Sequence, residues 1–323
     1  MEDSRKLRDG GTSVPDMAGA LDRAKGALVG LALGDALGTT LEFSGRDTRP
    51  PVTDIVGGGP FGLAAGEWTD DTSMALCLAE SLLERGGLDV RDLMVRFLRW
   101  REEGHNSVTG VCFDIGNATD GALRSFKKTG EPLSGSTDPG TAGNGSLMRL
   151  SPVAIRWWHD HAEATAAARL QSRTTHGAAQ AVEACALYVD LLIEAIAGAP
   201  KETVMRARDW AGDALIADAA AGTWRAKERD DISSSGYVVH TLEAALWCVD
   251  RSESIEDALI LAANLASDAD TVAAVTGQLA GALWGMSGAP AAWLDKLAWR
   301  DRLEALAAGL FEAANSERSD ADV

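Results

Sequence analysis

Apolar residues recur at three- and four-residue spacing along nearly the whole chain, while runs of strict apolar–polar alternation are missing. The spacing predicts helices over 21–37, 72–85, 89–103, 178–198, 201–220, 236–249, 254–266, 270–286 and 291–314. Many are rich in Ala and Gly, whose small side chains let helices approach closely. Gly and Pro gather instead in 49–66, 129–146 and 225–236, which read as loops. None of the three has the polar length of an interdomain linker, and no repeat of fixed period is evident. The expected fold class is therefore all-α, one compact domain over 19–314 with long functional loops. The polar stretches 1–18 and 315–323 are expected to be frayed or disordered.

Composition narrows the partners. The chain has 323 residues, 46% hydrophobic and 24% charged, enough to bury a sizeable core. Its net charge of -18 repels nucleic-acid backbone and anionic membrane alike, and leaves acids to spare for gathering round cations. No run of about 18 apolar residues appears, so no membrane span is expected. The N-terminus is polar and mixed in charge, unlike a signal peptide. Cys77, Cys112, Cys185 and Cys248 are far apart in apolar contexts, as free thiols of a cytoplasmic protein would be. A monomer is the expectation.

Two short acidic stretches stand out. In "WTDDTS" Thr69, Asp70 and Asp71 precede an apolar helical run; in "SDADTVAAV" Asp268, Asp270 and Thr271 do the same. Each has a purely structural reading. Thr69 can cap a helix whose dipole favours Asp70 and Asp71, and Ser267 with Asp270 has capping-box spacing. If the two helix starts face one another, however, four carboxylates converge, and oxygen ligands of this kind suit Mg²⁺, Mn²⁺ or Ca²⁺. The spacing of an EF-hand loop is absent, and so is the D-D-x-x-D of isoprenoid synthases.

Three further features are weaker singly. Gly143-Asn144-Gly145 can present successive backbone N–H groups to an anion, with Arg149 nearby; an ordinary tight turn is the alternative. In "GDALGTTLEF", Asp35 and Glu42 follow a small-residue helix, and Glu42 beside Phe43 has a partly apolar setting that would raise its pKa. Among the histidines, His176 in "TTHG" lies at a loop-to-helix boundary and is the most site-like.

Taken in order, "GDALG…E", "WTDDT", "FDIG", "GNGSLMR", "THG", "SGYV" and "SDADT" make the chain resemble the ADP-ribosylglycohydrolase family from about Gly26 to Gly285. More narrowly it is similar to the branch typified by the dinitrogenase-reductase-activating glycohydrolase. The resemblance implies a single orthogonal all-α domain with two divalent metals, Mg²⁺ or Mn²⁺. Matching motifs would make Thr69, Asp70, Asp71, Asp268, Asp270 and Thr271 the metal ligands. Thr141, Gly143, Asn144 and Gly145 would hold the diphosphate, with His176 close to phosphate or ribose and Gly236 and Tyr237 at the nucleoside end. Glu42 corresponds to a loop glutamate guarding the metals, and Asp114 falls among substrate-facing groups. Glu42, Asp71, Asp114 and Asp270 would then carry catalysis. Ser267 stands where many relatives have glycine. The implied activity is hydrolysis of ADP-ribose from protein arginine; serine, nucleic-acid or small-molecule linkages, or binding without turnover, are the alternatives.

Overall fold

The computed structural model describes residues 16–321; residues 1–15 of the expected frayed N-terminus and the last two of the tail lie outside that range. The helices are α1 (Met17–Gly38), α2 (Asp70–Arg85), α3 (Val90–Glu103), α4 (Asn117–Thr129), α5 (Ser151–Arg156), α6 (His161–Thr175) and α7 (Ala179–Ile196). They continue as α8 (Lys201–Val204), α9 (Ala214–Ala221), α10 (Val238–Asp250), α11 (Ile255–Ala263), α12 (Ala269–Trp284), α13 (Ala291–Lys296) and α14 (Arg300–Ala321). Among the described residues, backbone pairing outside helices is confined to isolated bridges, so the all-α expectation holds. No described helix is long and apolar enough to cross a membrane.

At the centre α1 and α12 run antiparallel, buried along nearly their whole length, with α2, α7, α10, α11 and α14 around them. Their contact is made by glycine at every fourth position. Gly26, Gly30, Gly34 and Gly38 form one stripe of α1, since residues four apart share a helix face. They meet Gly281, Gly277, Ala273 and Ala269 of α12 in turn. A Cβ on any of the four α1 glycines would come within 3.0 Å of backbone atoms of the opposing helix. Close-packed interiors have no slack for that, because both obstacles are main chain. The stripe also fixes the register, so that the C-terminal end of α1 lies against the N-terminal end of α12.

Departures from the expected elements have identifiable causes. The expected 201–220 helix is broken between α8 and α9, where Arg206 and Arg208 both turn to the Glu194 carboxylate and Gly212 has φ 149°. The expected 291–314 helix is interrupted before Arg300. Ala298 donates its N–H to the Gly66 carbonyl, its own carbonyl accepts from the Trp68 indole, and Trp299 takes φ 55°. Unexpected helices are α4, which starts at Gly116 with no side-chain cap, the six-residue α5 with Pro152 in its first turn, and α6, capped by Asp160. The chain from 315, expected as tail, continues α14 as far as Ala321.

The glycine stripe makes a direct prediction. Gly30→Ala should lower stability by about 1–3 kcal/mol through overpacking. Gly121→Ala, where a Cβ meets nothing within 4 Å on α4, should raise it by roughly 1 kcal/mol through helix propensity. Urea unfolding of the two variants reads the difference; equal midpoints would contradict the packing.

Candidate functional site

Each acidic helix start is capped from outside by an acid of the α1 end. Asp35, in the last turn of α1, accepts from the Thr69 and Thr72 backbone N–H groups at 2.8 and 3.0 Å and from both hydroxyls at 2.9 and 2.7 Å. Glu42, four residues beyond that helix, accepts from the Ala269 N–H at 2.7 Å and the Asp270 N–H at 3.4 Å. Thr69 and Asp268 are the N-cap residues of α2 and α12, yet neither side chain makes a cap bond. The capping-box reading of Ser267 is therefore replaced by a cap from Glu42. With the orphan amides satisfied from α1 and its extension, the caps' own side chains are left for other partners.

The two helix starts do face one another. Carboxylate oxygens of Asp35, Asp71 and Asp270 lie within 4.8 Å of one another, as do those of Glu42, Asp268 and Asp270, so Asp270 belongs to both groups. The Thr271 hydroxyl reaches Asp71 at 3.4 Å, and the Thr69 hydroxyl lies 3.2 Å from the same oxygen. Asp70 and Asp114 line the adjoining cavity. Asp71 Oδ1 and Asp270 Oδ2 are buried with no hydrogen-bond partner.

Burial and mutual repulsion make this an unfavourable place for anions. Asp35 is pushed up to about 7 by burial and then by Asp270, against the lowering effect of Thr72 and Thr69. Asp268 is likewise raised to about 7 by burial and Asp270. Burial, then neighbouring carboxylates, drives Asp114 to about 11 and Glu42 to about 12, and holds Asp70 and Asp71 well above the ordinary carboxylate range. Among the described residues, no lysine or arginine lines the cavity to offset them. An all-oxygen set of buried carboxylates with unpartnered oxygens is the donor chemistry that hard divalent cations satisfy, so the residues fit such ions.

The cavity beside the carboxylates measures about 900 Å³ and includes Thr141, Gly143, Asn144, Gly145, His176, Gly236 and Tyr237, together with the start of α4. Its far wall is knitted by single bridges between Gly143 and Tyr237 and between Ser136 and His176. The Gly-Asn-Gly loop is only in part an open nest, because Gly143 N–H donates to the Thr141 carbonyl and Asn144 N–H to the Gly236 carbonyl. Asn144 instead links loop to carboxylates, donating from Nδ2 to Asp268 at 2.6 Å and to Thr241 at 2.9 Å. A Cβ on Gly145 would lie 2.7 Å from the His176 ring, so glycine is needed for that contact.

Arg149 is not in the cavity but behind it, fully buried. It donates to the Gly145 carbonyl, to Gln171 and to the Thr174 and Thr175 hydroxyls, and lies 4.6 Å over the Phe97 ring. It is a strut joining loop to α6 rather than an anion ligand. Burial, then Arg149, lowers His176 to about 3, so the ring is neutral. The Thr175 hydroxyl, which accepts from Arg149, lies 2.9 Å from Nδ1, and with that hydroxyl taken as the donor the ring proton is on Nε2, facing Gly143 and Gly145. The Tyr237 hydroxyl donates to Gln180 at 2.5 Å.

Sequence reasoning named Asp35 without giving it a role, although an acid in the apolar, small-residue C-terminal half of α1 was a usable signal. It also missed the start of α4, where Gly116 provides no side-chain cap and Asn117, Ala118 and Thr119 border the cavity.

Comparison with known proteins agrees with this architecture. The ADP-ribosylglycohydrolase family profile matches residues 16–320. An ADP-ribosylarginine hydrolase Tri1 of Pseudomonas putida (strain GB-1) is 52% identical over 91% of this chain and 79% of its own length. The ADP-ribosyl-[dinitrogen reductase] glycohydrolase of Rhodospirillum rubrum is 32% identical over 85% of this chain and 90% of its own. A solved structure described as an ADP-ribosylglycohydrolase-related protein complex superposes with a TM-score of 0.83 at 42% identity, over 92% of this chain and 99% of that one. The chain belongs to the ADP-ribosylglycohydrolase family.

Proposed function

We propose that this protein hydrolyses the N-glycosidic bond between ADP-ribose and arginine on a modified protein, with two divalent cations, Mg²⁺ or Mn²⁺. The observation that carries the reading is the clustering of Asp35, Asp71 and Asp270, and of Glu42, Asp268 and Asp270, beside a cavity that Glu42, Asp70, Asp114 and Asp268 line and to which no described lysine or arginine contributes. The name of the Pseudomonas putida relative supports the arginine linkage, and that of the Rhodospirillum rubrum relative supports a modified protein as substrate. Thr69, Asp70, Asp71, Asp268, Asp270 and Thr271 hold the cations, with Asp35 beside them. Cations bound there would supply Lewis acidity and positive charge beside the ribose.

The chain's own groups do the rest. The N–H groups of the first turn of α4, together with the glycine loop, take the diphosphate, an arrangement favoured at a helix N-terminus. His176 adds a neutral Nε2–H donor, and Tyr237 borders the nucleoside end. Attack of water at the anomeric carbon forms the new C–O bond as the C–N bond to the guanidinium breaks, through an oxocarbenium-like transition state. Glu42, with one oxygen fixed on the N-terminus of α12, would be ionised once bound cations offset its carboxylate neighbours, and it then accepts the water's proton on the other oxygen. Asp114 holds the leaving guanidinium, a pairing carboxylates favour, and the departing nitrogen takes the proton that Glu42 accepted from water. Free ADP-ribose and unmodified arginine result.

Release of ADP-ribose from an arginine-modified protein tests this. Asp270→Asn and Asp71→Asn should each lower turnover by about a hundredfold or more with circular dichroism unchanged; full activity in either would overturn the metal reading. Linkage gives a second test. Carboxyls whose folded pKa is raised contribute stability below the unfolded value near 4 and lose it as pH climbs through about 7. Cations require the ionised form, so the rise in Tm on adding Mg²⁺ or Mn²⁺ to EDTA-treated protein should grow between about pH 5 and pH 8. A rise equal at both ends would contradict ion binding at these groups.

A further inference from the structure

Phe43 lies where a bulky aromatic is least expected. Its φ is 56°, a left-handed conformation costly for such a residue, and it is 69% exposed. The backbone is held there by its N–H donating to the Ser267 carbonyl at 2.7 Å, while Ser267 N–H donates to the Ser44 carbonyl at 2.9 Å. The ring leans on Phe61 edge-on at 6.2 Å between centroids, and Phe61 on Phe113, the neighbour of Asp114, at 5.2 Å. An outward aromatic is thus braced by two others and fixed beside Glu42.

Phe43 also borders a second cavity. This one is open, about 840 Å³, and lined by Arg46, Asp47, Asp230, Asp231 and a run of serines from 233 to 235. Neither cation nearby is available to a ligand. Arg46 spends its guanidinium on the carbonyls of Leu265, Arg229 and Ile232, and Arg229 is paired bidentately with Asp47. Asp230, its side chain 90% exposed and 4.0 Å from Arg229, and Asp231 outnumber the Arg46 charge, so the cavity is negative on balance.

We infer that this second cavity receives the polypeptide around the modified arginine, with the Phe43 ring stacking on the guanidinium plane as the side chain passes into the ADP-ribose cavity. The inference rests on the arginine-linked reading above. A guanidinium is planar and weakly hydrated, and it stacks on aromatic faces. The acceptor arginine enters beside Glu42 and Asp114, and the wall shared by the two cavities at that point is Phe43. The preferred acceptor carries Lys or Arg next to the modified residue, complementary to Asp230 and Asp231.

The test compares two substrates, ADP-ribosyl-arginine as the amino acid and as part of a lysine-flanked peptide. Phe43→Leu should raise KM about tenfold for both while the affinity for free ADP-ribose, measured by calorimetry, stays within twofold. Asp230→Lys should raise the ratio of peptide KM to amino-acid KM several-fold. An unchanged ratio, or Phe43→Leu weakening free ADP-ribose as much as substrate, overturns the inference. Wild-type protein that releases ADP-ribose from neither substrate overturns the arginine-linked reading instead, and this one with it.

Discussion

The contact between α1 and α12 is the constraint from which the site follows. Glycine at every fourth position of α1 brings two main chains together, and no other residue fits at 26, 30, 34 or 38 without moving the opposing backbone. That closeness sets Asp35 and Glu42, at the end of one helix and just past it, against Asp268 and Asp270 at the beginning of the other. A looser pair of helices with larger side chains would separate the acids and abolish the pocket they share. The packing rule and the chemistry are thus one feature of the sequence.

What the packing assembles is electrostatically unfavourable by itself. Several buried carboxyls crowd together, and among the described residues no lysine or arginine stands with them and two of their buried oxygens have no partner. Two helix N-termini relieve part of the repulsion, through their dipoles and through amides that donate to Asp35 and Glu42. Backbone strain gathers in the same place: Phe43, Asp114, Ala266 and Ser267 all have left-handed φ values between 56° and 65°. Ser267 sits in such a conformation where glycine would meet less resistance. Stored strain and unsatisfied charge both mark a site whose fold is completed by what it binds.

Much of this was legible in the chain. Helical periodicity gave the fold class, and the pairing of two acidic helix starts gave the carboxylate cluster. What stayed hidden depended on tertiary contacts. The cap of α2 comes from Asp35, distant in sequence, so Thr69 read as its own cap. The break before Arg300 is made by Gly66 and Trp68, which no local propensity reveals. Arg149 looked like an anion ligand because it follows a glycine loop, whereas burial turns it inward to carbonyls and hydroxyls of α6. Short α5 and uncapped α4 carry weak local signals, and α4 proved to border the cavity.

On the proposed function, one carboxylate, Asp270, serves two cation positions. Calorimetric titration of Mn²⁺ into metal-free protein tests it most directly, run on wild type, Asp35→Asn and Asp270→Asn. Because Asp270 belongs to both three-carboxylate groups and Asp35 to one, wild type should bind two ions per chain, Asp35→Asn should weaken one, and Asp270→Asn should weaken both. Two ions bound with unchanged affinity in Asp270→Asn would contradict the account.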